Sequence, residues 1–337
     1  MLTRVIFNQK GGVGKSSIAV NLAAMSAYQG LRTLLIDLDP QCNATQYIVG
    51  DAATDIHPAH ITEPNIENFF SQTLQATSNP MPMMFAFPFG GMTGSRNQGL
   101  EHCIHITRFD NLSLIPASPM LADILQTLES KHKIYKLAAA LKELARQYDN
   151  IFIDTPPAFN FYTLSALIAS ERCLIPFDCD EFSRRALYTL LENVGETRAD
   201  HNADLEVEGI IVNQFQPRAS LPLQLINELK EEGLPIMANY LPSSVIMKES
   251  HHKSLPLVFL APQHKLTEQY DCVFFDDSPL QNGKEPDRAQ FFALMITRLA
   301  KPNCKVSFYT QEPPWFNTHP ATKFSCKTMK MDIPSHC

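Results

Sequence analysis

The sequence predicts an α/β fold in which a doubly wound, mostly parallel sheet is covered by helices on both faces. Two observations carry this prediction. Short strand-like apolar runs alternate with helical stretches along residues 1–270, which is the order that parallel strands joined by crossover helices require. Several of these runs, such as residues 34–36 and 151–153, are apolar on both faces, as expected for strands between two helical layers.

Each predicted element takes its place in this alternation. Strands are predicted over residues 4–7, 33–37, 112–116, 150–154, 173–176 and 208–213. Helices are predicted over residues 17–29, 121–129, 135–148, 162–170, 181–198 and 222–232. The first helix is expected to stop at Gly30, because a glycine just after a periodic apolar segment is a helix-ending signal.

The composition is that of a folded globular chain. Its 337 residues are 45% hydrophobic and 19% charged, which excludes an intrinsically disordered protein and leaves room for one large domain or two small ones. A net charge of −7 argues against a protein that coats nucleic acid with its whole surface. The same charge is compatible with a local basic patch.

Several other classes of protein are also excluded by the sequence. The apolar runs are shorter than the roughly 18–20 residues that cross a bilayer, and the N-terminus does not resemble a secretion signal, so we expect a cytoplasmic protein. The eight cysteines include no C-x-x-C pair. We therefore expect buried thiols and no disulfide framework, zinc site or iron–sulfur cluster.

Two segments depart from the alternation and define the predicted domain organisation. Residues 78–99 mix Pro, Gly, Met and Phe without a period, and read either as a mobile insertion or as a loop that docks a partner. After Tyr270 strand and helix no longer alternate. We therefore predict a main domain over residues 1–270, with the insertion inside it, and a C-terminal extension over residues 271–337 that is poorly ordered.

The strongest chemical signal lies between the first strand and the first helix. Its candidate ligand-binding residues are Gly11, Gly12, Val13, Gly14, Lys15, Ser16 and Ser17. The glycines let successive backbone N–H groups turn inward around phosphate oxygens, and the helix presents its N-terminus to the same anion. Lys15 suits the β- and γ-phosphates, and the Ser16 hydroxyl suits Mg²⁺. The pattern predicts a nucleotide-phosphate loop.

This loop differs from the ordinary one in carrying a second lysine. Gln9 stands where a glycine is usual, and Lys10 precedes the glycines. The run Lys-Gly-Gly-x-Gly-Lys-Ser resembles the deviant Walker A motif of the ParA/MinD family of ATPases. The resemblance implies a P-loop fold that binds ATP and Mg²⁺ and forms an ATP-dependent homodimer. In that family Lys15 would act in its own chain, and Lys10 would reach the partner's phosphates.

Four further residues match the same family at the ends of predicted strands. Asp37-Leu-Asp39-Pro-Gln resembles its second motif, which implies that Asp39 orients the attacking water and that Asp37 lies near the metal. A carboxylate at the carboxyl end of a strand beside the phosphate loop suits such a role. Asp154 resembles the Walker B aspartate, which holds the Mg²⁺ shell. Asn213 matches the position that contacts the adenine base.

By resemblance the chain would be an ATP-driven dimerisation switch. Slow ATP hydrolysis, accelerated by an adaptor protein, would partition DNA or position a protein cargo. The family binds DNA non-specifically through basic residues, which need only contact phosphates and imply a nucleoid-associated protein. Arg218 matches one such position, and Lys248 is a second candidate.

Two alternatives to this function stay open. A MinD-like membrane-associated ATPase would use residues 288–301 as an interfacial helix, although a helix that closes the domain is the reading we favour. A metabolic P-loop enzyme of the amidoligase or phosphotransferase type would need a pocket for an acceptor substrate, and the sequence offers no constellation for one.

Overall fold

The computed structural model describes residues 1–50, 63–75, 99–217 and 220–274. Four of the predictions above lie wholly or mostly outside these residues. They are the insertion at 78–99 apart from Gly99, the candidate DNA contact Arg218, the C-terminal extension beyond Phe274, and the helix at 288–301. These stay predictions.

A seven-stranded sheet forms the centre of the fold. The strands are β1 Leu2–Ile6, β2 Thr33–Asp37, β3 His105–Ile106, β4 Leu112–Ile115, β5 Asn150–Asp154, β6 Arg172–Asp178 and β7 Glu206–Asn213. Their spatial order is β3-β4-β2-β5-β1-β6-β7, and every pairing is parallel except that of β3 with β4. The predicted doubly wound, mostly parallel sheet is confirmed.

The helices connect these strands. They are α1 Lys15–Tyr28, α2 Asn43–Val49, α3 Ile66–Gln75, α4 Leu121–Ser130, α5 Lys136–Leu144, α6 Phe161–Ile168, α7 Glu181–Asp200, α8 Ser220–Glu231, α9 Val245–Lys253, α10 Leu257–Leu260 and α11 Lys265–Phe274. The stop signal at Gly30 is confirmed, since this residue follows α1 with a φ of +83°. Helix α11 continues past the predicted domain boundary at residue 270.

Most predicted elements differ from the structure by two residues or fewer at each end, but the sequence reading missed several. The helix predicted over 135–148 ends earlier, at Leu144. Helices α2, α3, α9, α10 and α11 and strand β3 were not predicted. Strand β3 has two residues and α10 has four, which is too short for a periodic apolar pattern. Half of α9 is charged or histidine, so it shows no apolar stripe.

The core lies in two layers, one on each face of the sheet. Neighbouring residues of a strand belong to different layers: Val5 and Ile6 of β1 do so, as do Ile36 and Leu35 of β2. All four side chains are fully buried. This explains the apolar character of both faces of the central strands, because each face is covered by helices.

The arrangement of the strands brings the glycine-rich segment and two of the candidate aspartates to one edge of the sheet. Asp37 at the end of β2 and Asp154 at the end of β5 are neighbours in the strand register. Strand β1 lies beside β5 and leads into the glycine-rich segment that ends at Lys15. Parallel strands bring their carboxyl ends to the same edge, where α/β proteins bind ligands. Within the described residues, no helix has the length and apolar character needed to span a membrane.

Candidate nucleotide-binding site

The glycine-rich loop is held in a left-handed conformation and braced by the end of β7. Gly12 and Gly14 have φ values of +77° and +89°. The Asn213 side-chain amide donates to the Val13 carbonyl at 2.9 Å, and the Gln214 amide donates to the Gly12 carbonyl at 2.9 Å. A Cβ atom at Gly14 would overlap the Asn213 amide nitrogen. The loop is therefore fixed before any ligand arrives.

Gly14→Ala is expected to destabilise the protein by about 1–3 kcal/mol, because alanine is strained in the left-handed conformation and its Cβ would collide with Asn213. Gly195→Ala is the matched control. Gly195 lies inside α7, where a new Cβ meets no atom within 4 Å, so this change is expected to stabilise by about 0.5–1 kcal/mol. Denaturant unfolding measures both. Equal stabilities for the two variants would contradict the braced loop.

Lys15 is the buried cation of the loop. The residue is 6% exposed, and its ammonium donates a hydrogen bond to the Lys10 carbonyl oxygen at 2.9 Å. Burial lowers the pKa of Lys15 from its ordinary value, and the nearby charges of Asp154 and Asp39 oppose that shift. A buried ammonium at the N-terminus of a helix creates a site suited to an anion.

Lys10 is directed away from Lys15 and is held by acidic residues. Its ammonium contacts Asp178 Oδ2 at 2.6 Å, Asp180 Oδ2 at 2.5 Å and Ser183 Oγ at 3.0 Å. Burial works to lower the pKa of Lys10, but the hydrogen bonds and charges of the two aspartates raise it above its ordinary value. The sequence analysis missed these partners, although acidic residues at the end of a parallel strand were an available signal.

Asp37 is a fully buried carboxylate that supports the loop after β2. It accepts hydrogen bonds from the Thr45 backbone and hydroxyl, each at 2.8 Å, and from the Asp39 backbone at 3.0 Å. Burial is the main cause that raises its pKa to about 6. Asp39 is 5% exposed, and its carboxylate accepts from the Gln41 backbone at 2.9 Å. Burial also raises the pKa of Asp39.

Asp154 is a buried carboxylate without a hydrogen-bond donor of good geometry among the described residues. Burial, followed by the charge of Asp37, raises its pKa well above the ordinary value, and the nearby Ser16 hydroxyl works in the opposite direction. Buried carboxylate oxygens need a partner, and a hard cation such as Mg²⁺ is bound by oxygen ligands. Asp154 and Ser16 therefore offer oxygen ligands that would fit a magnesium ion.

The loop opens into a cavity of about 790 Å³, a volume suited to a nucleotide. The residues that the sequence analysis named and that line this cavity are Gly11, Gly12, Gly14, Lys15, Ser16, Ser17, Asp39, Asn213 and Lys248. Of the others, Lys10, Val13, Asp37 and Asp154 do not line it. The sequence analysis missed further lining residues on α2, α9 and α11, among them Tyr47, Met247, His251 and Tyr270.

Lys248, the second candidate DNA contact, therefore lies on the wall of this cavity, and its side chain is exposed. On the same helix, Lys253 Nζ lies 3.9 Å from Glu249 Oε2. Among the residues that the structure describes, no group of three or more His, Cys, Asp or Glu side chains is arranged to hold a metal ion, and this includes the two histidines of α9.

Comparisons with known proteins show what the chain is similar to. The family model of the AAA domain matches residues 1–207. The chain is 30% identical over 288 residues to the chromosome partitioning protein ParA of Myxococcus xanthus, which covers 84% of this chain and 90% of that protein. It is 29% identical over 267 residues to the sporulation initiation inhibitor protein Soj of Bacillus subtilis, covering 79% and 93%.

A solved structure supports the same relationship at the level of the fold. The ATP complex of McdA from Cyanothece has a TM-score of 0.64 and 21% identity, and the match covers 81% of this chain and 95% of that chain. The double-lysine loop, the aspartates at and just after the ends of β2 and β5, and the similarity over most of the length of its relatives support one family. The chain belongs to the ParA/MinD family of ATPases.

Proposed function

We propose that this chain is an ATP-dependent dimerisation switch that hydrolyses ATP slowly in order to partition DNA or position a protein cargo. The observation that carries the proposal is the pair of lysines on one loop. Lys15 lines the nucleotide cavity, whereas Lys10 lies outside it and its ammonium is held at the chain's own surface. The relatives named for chromosome partitioning support this function.

Within one chain, the glycine-rich loop would bind the phosphates of ATP and Asn213 would contact the base. Ser16 and Asp154 would hold Mg²⁺, and Asp37 would add negative charge beside them. The ion, when bound, neutralises charge on the phosphates. Asp39 has its carboxylate at the cavity wall, where it would accept a hydrogen bond from the attacking water and fix its direction.

Between chains, Lys10 would leave its two aspartates and bind the partner's phosphates, so that ATP closes a homodimer. The dimer would bind DNA non-specifically through Arg218 and Lys248, and an adaptor protein would accelerate hydrolysis and release it. These properties imply a cytoplasmic protein that associates with the nucleoid. Because a few cations would carry the contact, DNA binding is expected to be weak and sensitive to salt.

DNA binding tests the switch. We expect fluorescence anisotropy with a duplex of random sequence to detect binding with ATP and Mg²⁺, and little binding with ADP. Arg218→Glu should abolish the signal without changing ATP affinity. Lys142→Glu, the same charge change on an exposed residue of α5, should retain it. Equal DNA affinity with ATP, with ADP and without nucleotide would contradict a switch that acts through dimerisation.

A further inference from the structure

A histidine of α9 reaches the phosphate loop. His251 Nε2 lies 2.9 Å from the Ser17 hydroxyl oxygen, and both residues line the nucleotide cavity. They are 234 positions apart in sequence. None of the roles proposed above uses His251. The contact is the one direct hydrogen bond that the described residues show between α9 and the loop segment 11–17.

The His251 ring is exposed but packs against a buried aromatic side chain. The Tyr47 ring packs edge-on against it, with centroids 4.7 Å apart and an interplanar angle of 84°. Tyr47 is itself 5% exposed, and its hydroxyl contacts the Ser250 hydroxyl and accepts from the Asn21 amide at 3.1 Å. A ring held in this way presents its nitrogen to the cavity without a further loss of side-chain freedom when a ligand binds.

The two serines of the loop face different parts of the cavity. Ser16 lies close enough to Asp154 to affect its pKa, so it belongs to the side on which a metal would bind. Ser17 instead meets His251. In a phosphate loop the lysine and the metal-binding serine serve the β- and γ-phosphates, while the loop itself cradles the α- and β-phosphates. The Ser17–His251 pair therefore faces the phosphate nearest the nucleoside.

We propose that His251 is a further nucleotide-binding residue, which together with Ser17 hydrogen-bonds the α-phosphate of the bound nucleotide. The proposal rests on the proposed function, because it requires that the cavity takes a nucleoside di- or triphosphate. Partial burial lowers the pKa of His251. The Nε2 atom can make one hydrogen bond to a phosphate oxygen, so the expected effect is about tenfold in affinity.

Two amide substitutions of His251 separate this contact from a structural role. The amide nitrogen of glutamine reaches the position of Nε2, whereas that of asparagine falls short. We expect His251→Asn to weaken binding of fluorescent ATP and ADP analogues about tenfold each, and His251→Gln to restore both to within about threefold of the unmodified chain. His132→Asn, at an exposed histidine that does not line the cavity, should change neither.

The equal effect on the two nucleotides is the signature of the α-phosphate, which both carry. Unchanged affinity in His251→Asn, the same loss in His132→Asn, or a loss confined to the ATP analogue would overturn the proposal. Unfolding curves without nucleotide accompany each variant, and the amide pair is compared at equal stability. A Lys15→Ala variant that still binds both analogues would instead count against the proposed function, so the two failures are distinguishable.

Discussion

Lys15→Ala is expected to lower ATP affinity by about a hundredfold or more. Lys15 is buried and lines the cavity, so its ammonium would provide the positive charge that faces the β- and γ-phosphates. Charge-assisted hydrogen bonds to phosphate are stronger than neutral ones, and two to three kcal/mol corresponds to roughly two orders of magnitude. Titration of a fluorescent ATP analogue measures the loss.

The same substitution is expected to leave the nucleotide-free protein at least as stable. Burial lowers the pKa of Lys15, which means that the folded chain holds this charge at a cost until an anion arrives. Lys142→Ala, at an exposed site of α5, is the control and should change neither property. Normal ATP affinity in Lys15→Ala would remove the main support for a phosphate site at this loop.

Lys10→Ala and Asp39→Ala are expected to have opposite effects on the dimer. Lys10→Ala should keep ATP affinity within about threefold but stay monomeric, because its charge would be needed only on the partner's phosphates. Asp39→Ala should bind ATP and stay dimeric, while hydrolysis should fall by about 10²–10⁴-fold, because the group proposed to orient water is lost. Size-exclusion chromatography with ATP and Mg²⁺, followed by a phosphate-release assay, measures both.

Lys136→Ala and Asp123→Ala, substitutions of the same residue types at two exposed positions, provide the matched controls. Both should form the ATP-dependent dimer and hydrolyse ATP like the unmodified chain. A Lys10→Ala protein that dimerises and hydrolyses normally would falsify the role of Lys10 in the partner's site, and an ordinary P-loop enzyme would then become the better account.

The sequence was sufficient for the sheet and for the elements beside the phosphate loop. Buried parallel strands are continuous apolar runs, and the ends of β2, β5 and β7 carry the polar residues Asp37, Asp154 and Asn213. Local order along the chain was enough here, because parallel strands bring their carboxyl ends to one edge. The signals are short in sequence and need no knowledge of distant contacts.

The contacts that complete the site could not be predicted in this way. Lys10 meets Asp178 and Asp180 across about 170 positions of sequence, and His251 meets Ser17 across 234. Such pairs depend on how β6 and α9 pack against the loop, and the apolar pattern specifies only which face of an element is buried. Helix α9 gave no amphipathic signal at all, since charged residues and histidines make up half of it.

The pair of aspartates at the end of β6 would have a consequence for the lifetime of the proposed dimer. The Lys10 ammonium already forms ion pairs with Asp178 and Asp180. Binding to a partner's phosphates would therefore break two ion pairs within its own chain. On the proposed function, dimer assembly would exchange these two carboxylates for the partner's phosphates as the anions bound to Lys10. The net gain in binding free energy would be small, so the dimer would dissociate readily. Once hydrolysis weakens the attraction of Lys10 to the partner's phosphates, Asp178 and Asp180 of its own chain would bind its ammonium again. The same two residues would therefore drive the return to the monomer.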